Sequence, residues 1–266
     1  MTRTCCSLVL ASCILYLASC APQPLTVTRE PVTLRLVAAD SCGPLAEPLA
    51  EAYEESHPWV TVEIVGVFNS ATAEQTLLAD EADLALLSWM GEGADEEGLW
   101  AQPFARDGIA VIVHPAMPFT ETGLAHLQEI FQGRVQEWGG LVLAVVSRED
   151  GSGDRAVFDN AVLGNYDVTR TAVVMSSGRA VLDYVARTPG SIGYVSTLKI
   201  NDSDGVRVLP VEGVLPAPDT IADGSYPLSR ALYLATVGEP AGEAREFAQW
   251  ALGMDQGHLG GYVQGK

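Results

Sequence analysis

Apolar and polar positions along the chain follow two periods in turn. Short apolar or alternating runs, closed by Gly, Pro, Asn or Ser, predict strands over Thr33–Ala38, Val60–Val67, Asp83–Leu87 and Ile109–His114. Further strands are predicted over Leu141–Val146, Thr171–Met175, Ile192–Val195, Val206–Leu209 and Leu232–Thr236. Between them, spacing near 3.6 predicts helices over Leu45–His57, Thr72–Ala79, Leu124–Phe131, Ala156–Leu163, Ser177–Ala186 and Gly242–Leu252. In the first of these, Leu45, Leu49, Ala52 and Tyr53 share one side. Strand and helix alternate, which is the signature of an α/β fold. No internal repeat interrupts the rhythm.

The first twenty residues stand outside it. Arg3 gives a short positive start, and Leu8–Tyr16 is an apolar stretch too short to span a bilayer as a mature helix. The following L-A-S-C, Leu17–Cys20, resembles a bacterial lipobox, which implies cleavage before Cys20 and lipid attachment to its thiol. A soluble secretory signal cleaved nearby is the alternative. Ala21–Pro31, with three prolines, reads as an extended tether. Cys5, Cys6 and Cys13 would leave with the signal and Cys20 would carry lipid. Only Cys42 then remains, so no internal disulfide is expected.

Composition narrows the partners. A hydrophobic content of 48% argues against disorder, and the remaining length can bury a large core. The formal charge of −19 becomes one unit more negative once Arg3 leaves with the signal. Such a surface repels nucleic acid and anionic headgroups. It also makes any cation in a binding loop conspicuous.

One such cation lies in Ser147–Asp154, S-R-E-D-G-S-G-D, between a predicted strand and a predicted helix. A helix start presents unpaired N–H groups and a partial positive charge, and so receives anions. Arg148 adds a permanently charged fork and Ser152 a hydroxyl. The plainer reading is a turn with a Ser N-cap and a surface Arg.

Several segments in order resemble the phosphate-binding proteins of bacterial ABC phosphate importers, a type II periplasmic substrate-binding class. They are L-L-A-D-E-A-D-L-A-L-L-S (Leu77–Ser88), F-A-R-D-G-I-A-V-I-V-H-P (Phe104–Pro115), L-Q-E-I-F-Q-G-R-V-Q-E-W (Leu127–Trp138), S-R-E-D-G-S-G, P-G-S-I-G-Y-V (Pro189–Val195) and Y-P-L-S-R-A-L-Y-L (Tyr226–Leu234). The resemblance implies the α/β type II periplasmic-binding-protein fold, two lobes joined by two crossover strands with a ligand cleft between them. It implies an export signal over residues 1–19, a lipidated tether over 20–32, a first lobe of 33–112 with 226–266, and a second lobe of 113–225. The implied role is a solute-binding lipoprotein, monomeric, on the outer face of the cytoplasmic membrane. It would serve ABC permease subunits, take phosphate or a related oxyanion, and need no cofactor. The family's ligand positions fall on Ser41, Ser70, Asp83, Arg148, Ser152 and the Gly153 amide, with Asp83 as the acidic ligand accepting a proton from phosphate.

The departures are as informative. Asp154 stands where the family usually has Thr, and Asp40, in A-A-D-S (Ala38–Ser41), stands where a hydroxyl ligand is normal. Phe68 and Asn69 replace loop glycines. An ionised carboxylate only accepts, so it cannot donate to phosphate. Asp40 and Asp154 remain candidate cleft residues with three outcomes open: Asp154 caps its helix and points away; the cleft takes a cationic or hydroxyl-rich solute; or it takes protonated phosphate. Arg106 and Arg155 could restore positive charge. Two other classes compete. An envelope hydrolase using Ser152 lacks the G-x-S-x-G elbow, and His57, His114, His126 and His258 fall in no partner motif. No His/Cys pair has metal-ligand spacing. A family member that has lost its small ligand would act as an envelope sensor or interaction domain.

Overall fold

The computed structural model describes residues 29–91 and 98–254. The leader, the lipobox at Cys20, most of the tether and His258 lie outside the described residues.

β1 (Val32–Ala39) runs through a short 3-10 turn, Asp40–Cys42, into α1 (Gly43–Ser56), which takes Pro44 in its first turn, where no N–H is needed. β2 (Val60–Phe68) is followed by α2 (Ser70–Leu78), capped by the Asn69 side chain, which accepts from Thr72 N at 2.9 Å. Ser70 is the first helical residue. β3 (Leu84–Leu87) is short and buried; β4 (Leu99–Val113) is long. α3 (Leu124–Phe131) precedes a small hairpin of β5 (Glu137–Trp138) and β6 (Leu141–Val142). β7 (Ala144–Arg148) leads into α4 (Gly153–Phe158), which continues as a π turn over Asp159–Leu163. β8 (Val173–Met175), α5 (Gly178–Arg187) and β9 (Ser191–Ser196) come next. β10 (Arg207–Leu209), α6 (Pro218–Ala222), β11 (Ser229–Val237) and α7 (Gly242–Gly253) complete the described chain.

The main sheet runs β2-β1-β3-β11-β4-β9-β7-β8, with β10 also on β4. β1 is parallel to β2 and β3, and β7 is parallel to β8 and β9. β4 and β11 pair antiparallel from Leu99↔Val237 to Ser229↔Gly108, and these two strands connect the halves. Side chains early in β4 (Phe104, Ala105) and late in β11 (Leu232, Leu234) pack with β1 and α1 in one core. Ile109, Val111 and Val113, with Tyr226 and Leu228, pack with α3 and Phe158 in another. Two lobes joined by two crossover strands is the architecture expected from the sequence.

Most predicted elements appear within a few residues of their expected ends. The main difference is β4, which begins ten residues before Ile109. Gln102, Pro103, Arg106 and Asp107 hide that half from a hydrophobicity pattern. Likewise β11 begins three residues before Leu232. The predicted strand Leu141–Val146 is two, separated at Leu143.

Candidate functional site

Between the halves, strand ends deliver side chains and helix starts deliver N–H groups. The C-terminal ends of β1, β3, β7 and β9 lead to Asp40 and Ser41, Ser88, Arg148, and Ser196 respectively. Open α/β sheets bind ligands at this edge. Gly151, at φ 81°, turns the chain after β7, and Ser152 caps α4 by accepting from Arg155 N at 3.4 Å. Gly153 then lies against Ser70 and Ser88; a Cβ there would meet both hydroxyls. Those hydroxyls bond each other at 2.8 Å.

Asp154, the next residue, is completely buried. Its Oδ1 accepts from Ser41 Oγ at 2.5 Å and from Arg230 Nη2 at 2.6 Å. Its Oδ2 accepts from Ser196 N at 3.3 Å and faces Arg148 Nη1 at 3.6 Å. Arg230 also donates to Asp107 Oδ2 from Nε (3.1 Å) and Nη2 (2.7 Å). Asp107 accepts in addition from Ser196 Oγ, Thr197 Oγ1 and Gly108 N. On the other side, Asp40 accepts from Arg148 Nη1 (3.0 Å), Gly178 N at the start of α5 (2.8 Å) and Lys199 Nζ (2.8 Å). Arg148 is held by Met175 O and by Glu149 at 3.1–3.2 Å.

The electrostatics follow from this arrangement. Burial alone would push the Asp154 carboxyl up, but Arg230 first, then Arg148 and the Ser41 hydroxyl, outweigh it and hold it below the usual carboxylate range. Burial would likewise lower Arg230, yet Asp154 and Asp107 raise it further. Arg148 is opposed by burial and raised by Glu149, Asp154 and Asp40. The buried Cys42 thiol beside this network is pushed up by desolvation and so stays protonated. Asp40, Asp107, Glu149 and Asp154 thus meet Arg148, Arg230 and Lys199, one carboxylate more than cations.

The structure brings together Asp40, Ser41, Ser70, Arg148, Ser152, Gly153 and Asp154. It does not bring in Asp83, which stands before the first residue of β3, at the end away from Ser88. There its Oδ1 and Oδ2 accept from Arg35 Nη2 and Arg35 N, both at 2.8 Å, and Arg35 holds its carboxyl low against partial desolvation. Ser88, at the other end of the same strand, is the residue that reaches the site. Asp154 does not serve as a helix cap, because Ser152 does. Arg155 turns to Asp150 and Asp159, and Arg106 donates to Ile221 O, so neither adds charge to the cleft. Among the described residues, the imidazoles of His57, His114 and His126 bond or pair only with near neighbours in sequence.

Ser88, Asp107, Ser196, Lys199 and Arg230 were missed by sequence reasoning. A signal existed for two of them. Arg230 shares its strand face with Leu228, Leu232 and Leu234, and Asp107 with Ala105, Ile109 and Val111. A charge in phase with a buried face implies a buried partner, and Arg230 pairs directly across from Asp107.

Comparison with known proteins matches the chain to a family model and to solved folds. The PBP superfamily domain matches residues 26–254. The chain is similar to the phosphate-binding protein PstS of Bacillus subtilis, at 27% identity over 84% of this chain and 76% of that one. A phosphate ABC transporter substrate-binding protein from Clostridium perfringens, solved with bound phosphate, superposes with TM-score 0.78 at 25% identity, covering 85% of this chain and 96% of the other. An ABC-type phosphate transport receptor from Vibrio cholerae gives TM-score 0.67 at 27% identity, with the same coverages.

Proposed function

The chain belongs to the PBP superfamily domain family, and from that membership we propose that it is an extracytoplasmic solute-binding protein of an ABC-type importer, holding phosphate or a related oxyanion in the cleft. One observation carries the ligand class: Ser41, Arg148, Arg230 and the Ser196 amide all point their donors at a single buried anion, the Asp154 carboxylate. Hydroxyls, guanidinium forks and a backbone N–H are the donors that recognise tetrahedral oxyanions, and burial strengthens each of them. Ser70, Ser88 and the α4 start at Gly153 extend the same cradle. The relatives named above as phosphate-binding favour phosphate within that class.

The same proposal includes the division of the chain: signal over 1–19, lipidated tether over 20–32 anchored through Cys20, a first lobe of 33–112 with 226–266, and a second lobe of 113–225. Monomeric delivery to ABC permease subunits completes it. No described helix is long and apolar enough to cross a membrane, so attachment would rest on the lipid. Calorimetric titration with phosphate tests the ligand. Arg148→Ala removes a charged donor, a change typically costing about 2–5 kcal/mol, so affinity should fall at least about thirtyfold. An unchanged dissociation constant would remove Arg148 from the site.

A further inference from the structure

Resting on the oxyanion reading of the cleft, we propose that Asp154 is a tethered occupant of the anion site: its carboxylate takes the donors that a solute would take, and an incoming oxyanion must displace it. The geometry is that of a bound ligand rather than of a helix cap. Oδ1 is shared by Ser41 Oγ, from the turn after β1, and Arg230 Nη2, from β11. Oδ2 receives Ser196 N, from β9, and faces Arg148 Nη1, from β7. Four donors from four segments of chain therefore converge on two oxygens of one fully buried side chain. Ser41 is 113 residues away in sequence, so this is a tertiary contact that ties β1 to the start of α4.

Charge points the same way. With Asp154 in place the cluster already holds one carboxylate more than cations, since Asp40 occupies Arg148 and Lys199 while Asp107 occupies Arg230. A phosphate added beside Asp154 would meet no unused cation in the cluster. With Asp154 swung out or replaced, Ser41 and Arg230 each regain a free donor, and Arg148 no longer faces the Asp154 carboxylate. Two consequences follow. The apparent affinity for an oxyanion is divided by the small fraction of molecules in which Asp154 has left the site. The cleft also closes on its own carboxylate, and solute is not needed to bring the halves together.

The test is calorimetric titration of phosphate and sulfate into the wild type, Asp154→Thr and Asp154→Asn. Threonine replaces the anion with a smaller donor. Asparagine keeps the shape and so guards against loss of folding, but it cannot pair with both Arg148 and Arg230 as an anion. Weak wild-type binding, with at least about thirtyfold tighter binding by the threonine variant and an intermediate value for asparagine, is the expected result. Wild-type binding as tight as that of both variants overturns the inference while leaving the oxyanion reading intact. If no protein binds either anion at millimolar concentration, the oxyanion reading itself fails, and this inference with it. Small-angle scattering of the wild type gives a second readout that needs no variant. The solute-free radius of gyration should already be that of the closed form, and compaction on adding phosphate contradicts self-closure.

Discussion

Arg230→Met isolates the buried charges. Arg230 is nearly inaccessible and is shared by two carboxylates, donating to Asp107 from Nε and Nη2 at 3.1 and 2.7 Å and to Asp154 at 2.6 Å. Methionine fills much of the stem's volume and leaves both acids without their common cation. Asp107 keeps Ser196, Thr197 and Gly108 as donors; Asp154 keeps Ser41, the Ser196 amide and the longer contact to Arg148. Removing one partner of a buried pair typically costs about 3–5 kcal/mol, and two acids are affected here, so the loss should lie in that range. A domain's whole stability is about 5–15 kcal/mol, so the effect is large. With a urea slope near ~2 kcal/mol per molar, the unfolding midpoint should fall by roughly 2 M.

The deficit should also depend on pH, with a defined sign. In the wild type the Asp154 carboxyl is held below its ordinary value. Its stabilising contribution is therefore present above the ordinary carboxylate range, ~3.9, and lost as pH falls through the lowered folded value. Without Arg230, burial dominates and the folded value rises above the unfolded one. The ionised acid is then most destabilising at neutral pH and is relieved by protonation as pH falls. The gap between wild type and Arg230→Met should thus narrow from about pH 7.5 to about pH 5. A midpoint within ~0.3 M of wild type, or a gap unchanged between the two pH values, would refute the assignment of Arg230 as the shared buried cation.

Gly153→Ala places a methyl group against the Ser70 and Ser88 hydroxyls; phosphate affinity should drop about tenfold or more in a calorimetric titration, whereas ordinary helix propensity would favour alanine. Asp83→Asn should leave phosphate affinity at the wild-type value, because Asp83 is paired with Arg35 at the far end of β3; a tenfold loss would return Asp83 to the site. Cys20→Ala should move the protein from the membrane fraction to the soluble fraction, and persistence with membranes would contradict lipid anchoring at that residue.

The fold was legible in the sequence because hydrophobic periodicity reports burial, and burial organises both cores. Legibility failed where polar residues enter a buried strand. Asp107 and Arg230 interrupt the apolar runs of β4 and β11, so the strands were expected to begin at Ile109 and Leu232, past the residues that matter. The two pair with each other across 123 residues of sequence, and no local pattern encodes such a pair. The site was legible where it sits on turn chemistry: Asp40, Ser41, Ser70 and the S-R-E-D-G-S-G-D stretch all reach it. Asp83 shows the limit of position matching. A carboxylate at the start of a strand and a serine at its end are only a few residues apart, yet they face opposite edges of the sheet. The departure at Asp154 was visible from the resemblance, but its direction was not, since a helix-start aspartate can cap or reach inward. Ser152 takes the cap, and Asp154 turns to Ser41 and Arg230.

A crystal structure of the protein grown in a large excess of phosphate tests the central claim most directly. The account predicts a single phosphate in the cleft within hydrogen-bond distance of Ser41, Arg148 and Arg230, with the Asp154 carboxylate displaced from those donors. A cleft without phosphate, with Asp154 still bonded to Ser41 and Arg230, would contradict it.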